Sequence, residues 1–417
     1  MFTLIIWFYQ LGVRLAALFG NKKAAAMVRG QRETWRILRE SICPEDRPVW
    51  FHAASLGEFE QGRPLMERLR REHPEEKILL TFFSPSGYEV RKNYDGADVI
   101  CYLPFDTAWS VRRFLRLAHP SRAIFIKYEF WANYLRQLHR REIPVYSVSS
   151  IFRPGQVFFR WWNCGYRAVL RHVTHFFVQN EASRELLAGI GLTNVTVVGD
   201  TRFDRVVDIR NQAADLPEVE RFLHAGAGQK PLRTFVVGSS WEADEDVYLD
   251  YFSGKDWKLI IAPHVVSAER IGKLQTRLEA LGIQAERLSE YTESSGDAAP
   301  SALLVDGYGK LSSIYRYATV AYVGGGFGVG IHNVPEAAVY GVPVIIGPNN
   351  RKFREAQALL ENGGCREVTD AESFAATMDD LTNHPAALAA AGEAAGRYIR
   401  SNAGAADAIF SEIFQRK

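Results

Sequence analysis

Two acidic residues in the first half of the chain stand just after apolar runs that predict buried strands. Glu58 ends the motif Ser-Leu-Gly-Glu, and Glu129 lies within Lys-Tyr-Glu-Phe-Trp. A carboxylate at the carboxyl end of a strand can act as a general base. Structural alternatives remain open for both residues. Ser55 and Glu58 have the S-x-x-E spacing of a capping box, and Glu129 can form a surface ion pair with Lys127.

The strongest local signal is the glycine-rich segment 324–336, GGGFGVGIHNVPE, which follows an apolar run and opens a predicted helix at Asn333. Glu336 stands three residues later, again with capping-box spacing. Glycines allow a ligand to approach the backbone, and the free N–H groups of a helix start attract phosphate. The segment is neither a dinucleotide fingerprint, whose last glycine would replace Val329, nor a P-loop. It predicts a phosphate site, but it does not support a dehydrogenase or an NTPase.

Four further polar residues stand near the ends of predicted strands. Ser239 and Ser240 follow the first strand of the second half of the chain, and His264 follows the next one. Arg202 lies near the end of the first half, where it could meet an anion. A lone histidine such as His264 can equally be structural. The sequence contains no HExxH motif, EF-hand loop or His/Cys cluster, so we expect no metal bound by the protein.

These candidates depend on a scaffold of alternating strands and helices. Apolar runs separated by amphipathic, helix-period segments occur at 48–54, 77–83, 98–104, 122–128, 144–150, 175–180 and 194–200, and then at 233–240, 257–263, 318–326 and 342–348. The alternation predicts βα units and parallel sheets. Ligands of such sheets bind at the carboxyl ends of the strands.

The two series of strands predict two α/β domains with short additions. The expected segments are a membrane-associating helix over 1–30, an N-terminal domain over 31–208, a linker over 209–231, a C-terminal domain over 232–400, and a helix over 401–417 that could pack back on the N-terminal domain. The stretch 292–301 is rich in small and turn-forming residues, which predicts a surface loop.

Composition excludes several classes of protein. The 417 residues suit two or three domains, and a hydrophobic fraction of 47% is that of a globular chain. Fifty Lys and Arg against 48 Asp and Glu give a net charge of +2, which argues against a nucleic-acid binder. The four scattered cysteines form no CxxC pair, so they predict a reducing compartment without a disulfide framework.

Residues 1–20 form an apolar stretch with no charge before Arg14. As a helix of about 30 Å, the stretch would just span the hydrocarbon of a bilayer. Its polar residues share one helical face: Thr3, Gln10, Arg14 and Asn21. That stripe favours a helix lying in the membrane interface, with aromatic residues at headgroup level. A spanning helix and a buried core helix are the alternatives, and a secretory signal peptide fits less well.

The ordered set of motifs resembles the 3-deoxy-D-manno-octulosonic acid (Kdo) transferases, the lipid A-modifying glycosyltransferases of Gram-negative bacteria. The resemblance covers nearly the whole chain, through HAASLGE, TFFSPSGYE, YLPFD, KYEFWAN, SSIFRP, VVGDTRFD and VGGGFGVGIHNVPEAAVYGVPVIIGP. It implies a GT-B architecture, in which two Rossmann-like domains face a central cleft. It also implies a place on the cytoplasmic face of the bacterial inner membrane, at the membrane surface.

The resemblance implies an inverting transfer of Kdo from CMP-Kdo to a lipid A precursor, lipid IVA, in lipopolysaccharide core biosynthesis, without a cofactor. Glu58 matches the family's catalytic glutamate, and Glu129 matches the acidic residue of its K-x-E-F-W segment. The residues expected to bind CMP-Kdo are Ser239, Ser240, His264, Asn333, Glu336 and Arg202. The family often has Pro-Arg-His where this chain has Pro263-His264, so one expected arginine is missing.

Two alternative functions remain at this point. One is another GT-B-type sugar-nucleotide enzyme, either a UDP-sugar transferase or an epimerase, although an epimerase has no use for the apolar N-terminal segment. The other is a non-catalytic membrane-surface scaffold, which has no reason to keep acidic groups at the strand ends, such as Glu58, Glu129 and Glu336.

Overall fold

The structure is a computed structural model that describes residues 2–160, 164–225, 233–291 and 299–415. The chain forms two compact units. Unit 1 comprises Met1–Arg205 together with Ala403–Lys417, and unit 2 comprises Val206–Asn402. Within the described residues, each unit contains one sheet of seven strands, and all strand pairs in both sheets are parallel. The prediction of two parallel-sheet α/β domains is therefore confirmed.

The strands of unit 1 coincide with the seven apolar runs of the first series. They are β1 (Val49–Ala53), β2 (Ile78–Phe82), β3 (Val99–Tyr102), β4 (Arg122–Ile126), β5 (Val145–Ser150), β6 (His175–Val178) and β7 (Val195–Val197). Their order in the sheet is β3-β2-β1-β4-β5-β6-β7. Central strands such as β1 are buried at every residue, as expected when both faces of a parallel sheet are covered.

Ten helices accompany this sheet in the part of unit 1 that the structure describes, the ninth of them running on into unit 2. They are α1 (Phe2–Leu18), α2 (Lys22–Ser41), α3 (Leu56–Glu72), α4 (Pro85–Arg91), α5 (Ala108–Ala118), α6 (Ala132–Arg140), α7 (Cys164–Leu170), α8 (Glu181–Ala188), α9 (Thr201–Asn211) and α18 (Ala405–Phe410). A short π-helix, Ser411–Gln415, follows α18.

Two hydrophobic clusters cover the two faces of the unit 1 sheet. Side chains of successive strand residues point to opposite faces, so Trp50 belongs to one cluster and Phe51 to the other. The cluster around Phe51 includes Ile409 and Phe410 of α18, both fully buried. The end of the chain is thus built into the core of unit 1, where it covers one face of the sheet.

Helix α1 packs on α2 with one side and leaves another side exposed. The ring of Tyr9 lies 6.3 Å from that of Phe83 and 5.9 Å from that of Phe105, so the half-exposed Tyr9 marks the side of α1 that faces the rest of the unit. Trp7 and Phe8 are 65% and 70% exposed, so α1 is not a buried core helix. Among the described helices, none is both long and apolar enough to cross a membrane.

The strands of unit 2 include four predicted runs and three short additions. They are β8 (Arg233–Ser240), β9 (Trp257–Pro263), β10 (Ala285–Arg287), β11 (Ala302–Leu304), β12 (Val320–Val323), β13 (Val344–Ile346) and β14 (Cys365–Glu367), in the order β10-β11-β9-β8-β12-β13-β14. The sequence reading missed β10, β11 and β14. Of these, β10 and β14 each contain two charged residues, so no apolar run marks them, and β11 directly follows the predicted loop 292–301.

The helices that lie wholly within unit 2 are α10 (Pro217–His224), α11 (Glu242–Tyr248), α12 (Ala268–Ala280), α13 (Leu311–Ile314), α14 (Val334–Ala338), α15 (Arg354–Glu361), α16 (Ala371–Asn383) and α17 (Pro385–Asn402). Helix α10 falls within the predicted linker, yet its Val219 and Phe222 are fully buried. That part of 209–231 is thus a packed helix, while residues 226–231 lie outside the described residues. Most of the predicted loop 292–301 also lies outside them.

Candidate active site

Each sheet of the described residues has one point where the strand order reverses, and several of the predicted residues follow the strands beside it. In unit 1 the reversal falls between the neighbours β1 and β4, and in unit 2 between β8 and β12. Glu58 follows β1 and Glu129 follows β4, whereas Ser240 ends β8 and the glycine-rich segment 324–336 follows β12. Open parallel sheets bind ligands at the carboxyl ends of the strands at such a switch point.

Glu58 is a buried carboxyl group near the start of α3, with an exposed fraction of only 8%. Its Oε2 accepts a hydrogen bond of 2.5 Å from the backbone N–H of Ala54. Burial, and next to it the negative charge of Glu129, raise the pKa of Glu58 from 4.5 to about 7. A base with a pKa near neutrality combines a populated charged form with useful proton affinity, so Glu58 is suited to deprotonate a hydroxyl.

The capping-box alternative for Glu58 is wrong in its predicted form. Ser55 is the N-cap residue of α3, but its side chain makes no capping hydrogen bond. The carboxylate of Glu58 reaches instead to the N–H of Ala54, one residue before the N-cap. The local role of Glu58 is therefore to accept, through Oε2, the hydrogen bond of one backbone N–H at the end of β1. Its other oxygen, Oε1, takes no part in this hydrogen bond.

Glu129 is held by two aromatic side chains from different elements. The indole N–H of Trp131 donates a hydrogen bond of 2.7 Å to Oε2 of Glu129. Nε2 of His52, a fully buried residue of β1, lies 3.3 Å from the same oxygen. On its other side, Nδ1 of His52 lies 2.9 Å from the hydroxyl of Thr81 in β2. Glu129 is thus part of a network within the domain and not a simple surface ion pair with Lys127.

The backbone at the end of β4 adopts a conformation that is uncommon for a residue with a side chain. Lys127 has φ of +63°, and Ser149, at the end of the neighbouring strand β5, has φ of +52°. The hydroxyl of Ser150 donates a hydrogen bond of 2.8 Å to the carbonyl oxygen of Lys127, which ties the two strand ends together. Left-handed non-glycine residues concentrate at functional sites, where the surrounding structure maintains them.

In unit 2, Asp244 organises the glycine-rich segment, a role that the sequence reading missed. Its Oδ2 accepts hydrogen bonds from the backbone N–H groups of Trp241 and Gly325, at 3.0 Å and 2.8 Å. Its Oδ1 accepts a hydrogen bond from the hydroxyl of Tyr322 at 3.1 Å. Asp244 is fully buried in the first turn of α11. One carboxylate therefore joins the ends of β8 and β12.

A cavity of about 430 Å³ lies beside this junction. It is lined by Ser240, Trp241, Glu242, Ala243, His264, Val265, Arg270, Gly328 and Val329. The rings of Trp241, His264 and His332 form a stack with 4.5 Å between successive centroids. Arg270, which is ion-paired with the buried Glu245, brings a cation to the cavity, whereas the arginine of the family's Pro-Arg-His motif is missing at Pro263-His264. The volume falls within the range of about 300–1,000 Å³ typical of small-molecule sites.

The predicted nucleotide-side residues take different positions around this cavity. Ser240 and His264 line it, but the hydroxyl of Ser240 donates a hydrogen bond of 3.0 Å to Glu245 and lies 2.9 Å from the hydroxyl of Tyr248. Ser239 has a left-handed backbone with φ of +54°. At this bend the carbonyl oxygen of Ser239 lies so close to Gly324 that a Cβ there would come within 2.4 Å of it.

Asn333 and Glu336 bond to each other at the start of α14. The side-chain amide of Asn333 donates a hydrogen bond of 2.6 Å to Oε1 of Glu336. Asn333 is the N-cap residue, but its side chain makes no capping hydrogen bond, so the predicted capping box is replaced by this direct pair. The pair directly follows His332, whose ring belongs to the stack beside the cavity.

Arg202 lies in the first turn of α9, in unit 1. Its Nε donates a hydrogen bond of 2.9 Å to Asp200, and the other oxygen of Asp200 accepts one of 2.9 Å from the amide of Gln61. Gln61 belongs to α3, one turn after Glu58. The structure therefore links Arg202 to the helix that carries Glu58. About half of the Arg202 side chain is exposed. Over the described ranges, no group of three or more His, Cys, Asp or Glu side chains could hold a metal ion.

A family model and several relatives point to the same family. Residues 21–205 match the family model described as 3-deoxy-D-manno-octulosonic-acid transferase (kdotransferase). A 3-deoxy-D-manno-octulosonic acid transferase of Bordetella pertussis is 28% identical over 386 residues, covering 87% of this chain and 86% of that protein. The transferases of Aquifex aeolicus and Haemophilus influenzae are 27% and 25% identical. Their alignments cover 78% and 89% of this chain, and 83% and 88% of those proteins.

Solved structures share the fold at lower identity. A UDP-GlcNAc 2-epimerase from Neisseria meningitidis has a TM-score of 0.59 at 14% identity, covering 88% of this chain and 100% of that one. MurG of Acinetobacter baumannii has a TM-score of 0.52 at 12% identity, covering 89% and 100%. These likenesses concern the fold alone. The family model and the relatives confirm the resemblance to the 3-deoxy-D-manno-octulosonic acid transferases that the motifs show, and they support a glycosyltransferase.

Proposed function

We propose that this chain transfers Kdo from CMP-Kdo to a hydroxyl group of a lipid A precursor, lipid IVA, with inversion at the anomeric carbon. The observation that carries the proposal is the environment of Glu58. Burial and the charge of Glu129 raise the pKa of this carboxyl to about 7, and the residue follows β1 at the switch point of unit 1. A sugar hydroxyl needs such a base because it is a weak nucleophile until its proton is removed.

In the proposed reaction, Glu58 takes the proton of the acceptor hydroxyl as its oxygen attacks the anomeric carbon of Kdo. The bond between that carbon and the phosphate oxygen of the donor breaks, and CMP leaves as a phosphate monoester. His52 and Trp131 hold Glu129, whose charge keeps the proton affinity of Glu58 high. The negative charge that grows on the phosphate requires stabilisation by preorganised donors.

We place the donor on unit 2. The cavity beside Asp244 has a volume of about 430 Å³ and two aromatic side chains in its lining, Trp241 and His264, which suits a nucleotide base. Arg270 and the backbone of the glycine-rich segment provide donors for the phosphate and the sugar acid. Asn333 and Glu336 are expected to contact the sugar part of CMP-Kdo, and Arg202 a negative group of the substrates.

We further propose that α1 attaches the protein to the cytoplasmic face of the inner membrane, where a lipid acceptor is found. The support is its exposed apolar side, which includes Trp7, Phe8 and Leu18. Aromatic and aliphatic side chains in this arrangement are typical of a helix that lies in the bilayer interface.

The direct test of the reaction is the release of CMP from CMP-Kdo, measured with and without lipid IVA, together with a mass spectrum of the lipid product. We expect release that depends on the acceptor and a product heavier by whole Kdo residues. Matched assays with UDP-sugars serve as the control for donor choice. Acceptor-dependent turnover of a UDP-sugar, or CMP release without any lipid product, would contradict the proposal.

A further inference from the structure

A second cavity in unit 1, of about 130 Å³, lies between α1, α2 and α5. It is lined by Gln10, Arg14, Val28, Gln31, Arg32, Trp35, Pro104, Phe105, Trp109 and Ser110. Its volume is well below the 300–1,000 Å³ or so of pockets that enclose drug-sized molecules. The cavity can therefore hold one small group and not a nucleotide.

Two arginines that form no ion pair with any described residue share this cavity. Arg14 comes from α1 and Arg32 from α2, and neither forms an ion pair within the part of the chain that the structure describes. A third cation, Arg113 of α5, stacks over the rings of Trp35 and Trp109, at 4.4 Å and 5.2 Å from their centroids. Like charges that converge on one small cavity favour an anion between them.

The surrounding sequence has the same one-sided charge. Residues 1–32 contain five basic residues, Arg14, Lys22, Lys23, Arg29 and Arg32, and no Asp or Glu. Residues 107–118 contain three arginines and no Asp or Glu. Because the whole chain has a net charge of only +2, these two segments form a cationic region on a protein whose other residues have an excess of acidic side chains.

The position of Arg14 on α1 relates this cavity to the exposed apolar side. At about 100° per residue, Gln10 and Arg14 fall between the inward side, which carries Tyr9, and the exposed side, which carries Trp7 and Leu18. Trp109, at the cavity, is 65% exposed. The cations therefore lie at the border of the apolar surface, the depth at which lipid phosphates lie beside an interfacial helix.

We propose that this cavity binds the phosphate group of an anionic phospholipid in the membrane. The guanidinium groups of Arg14 and Arg32 would form charge-assisted hydrogen bonds with the phosphate oxygens, since arginine matches phosphate geometry. The amide of Gln10 would add a neutral donor. This inference rests on the proposed attachment of α1 to the membrane, and it adds a lipid class and the residues that select it.

The test is flotation with vesicles of phosphatidylcholine alone and with vesicles that also contain phosphatidylglycerol. We expect Arg14→Gln with Arg32→Gln to weaken binding to the anionic vesicles by about 10- to 30-fold, because each arginine near an anionic surface contributes about 1 kcal/mol. Binding to the neutral vesicles should stay unchanged. The matched control is Arg112→Gln with Arg116→Gln, which removes the same charge from α5 at residues that do not line the cavity.

Three results would overturn the inference. If the control pair weakens anionic binding as much as the cavity pair, diffuse charge and not the cavity recognises the lipid. If inorganic phosphate displaces the protein from vesicles much better than chloride at equal ionic strength, the cavity binds a free anion. If the cavity pair raises the acceptor KM in detergent without phospholipid, the cavity binds the acceptor's own phosphate.

The same experiment separates this inference from the proposed membrane attachment. Trp7→Glu with Phe8→Glu should weaken binding to both kinds of vesicle, because it changes the apolar side and not the cavity. A wild-type protein that floats with neither vesicle would refute the attachment and this inference together. Equal binding to both vesicle types would refute only the phospholipid site.

Discussion

At the scale of single residues, a substitution of Glu58 distinguishes a catalytic role of this carboxyl group from a structural one. We expect Glu58→Gln to lower kcat by about 10²–10⁴-fold, the usual contribution of a general base. The fold should persist, because the carbonyl oxygen of glutamine can still accept the N–H of Ala54. Rates with saturating substrates and calorimetric titration with CMP-Kdo would measure the two effects. Wild-type turnover with a lowered melting temperature would instead leave Glu58 as a structural residue.

The raised pKa of Glu58 also predicts opposite pH dependences of activity and stability. Activity should fall below about pH 7, because protonated Glu58 cannot accept a proton. For stability, a carboxyl whose pKa is raised by folding stabilises the folded state below its unfolded pKa, and this contribution is lost as the pH rises through about 7. The free energy of unfolding of Glu58→Gln, relative to that of the wild type, should therefore increase by about 1–3 kcal/mol from pH 5 to pH 8. Urea unfolding of both proteins at several pH values would check this, and a constant difference would contradict it.

Glu129 should act on the pH profile through Glu58. Glu129→Gln removes a negative charge that raises the pKa of Glu58. The acid limb of the pH profile of kcat/KM, measured on the remaining activity, should therefore move to lower pH. Glu60→Gln is the control, because it makes the same change of charge on α3 while Glu60 pairs with Arg63 and Arg91. An unchanged limb in Glu129→Gln would show that the two carboxyl groups are not coupled.

On the donor side, the pair formed by Asn333 and Glu336 should affect CMP-Kdo and not the acceptor. Asn333→Ala or Glu336→Ala breaks their 2.6 Å hydrogen bond and should raise the donor KM and lower kcat/KM. Kinetics with each substrate varied in turn, and calorimetric titration with CMP, would measure this. A change confined to the acceptor KM would place these residues elsewhere in the reaction.

At the scale of elements, the glycine-rich segment is constrained by close backbone contacts. A Cβ on Gly326 would lie 2.5 Å from the Cα of Gly347, whereas a Cβ on Gly328 would meet nothing within 4 Å. We expect Gly326→Ala to lower the free energy of unfolding by about 1–3 kcal/mol through overpacking, and Gly328→Ala to leave it nearly unchanged. Thermal and urea unfolding would compare them. Equal stability of the two variants would show that the segments after β12 and β13 can move apart without a loss of stability.

At the scale of the whole molecule, deletion of residues 1–20 should release the protein from membranes but retain activity on detergent-dispersed acceptor. The reason is that the sheet and the acidic residues begin only at β1. The deletion also uncovers the part of α2 that α1 covers, including Met27, so it should lower the melting temperature as well. Flotation with liposomes measures the release. A truncated protein that still floats would assign the attachment to another surface.

The sequence by itself determined the scaffold and the positions of the candidate residues along it. Buried parallel strands need continuous apolar runs, and these runs are visible without any knowledge of the fold. For the same reason Glu58, Glu129 and the glycine-rich segment could be placed at strand ends. The short strands β10, β11 and β14 were not predicted, because they are defined by pairing with neighbouring strands and not by a pattern in their own residues.

Only the tertiary structure decided how the candidate residues behave. The pKa of Glu58 depends on burial and on Glu129, a residue 71 positions away in the chain. The roles of His52 and Asp244 could not be predicted from the sequence either, since each residue acts through partners on other strands or loops. Spacing along the chain reveals local periodicity, whereas desolvation and charge coupling depend on distances through space. Those distances exist only once the sheets have formed.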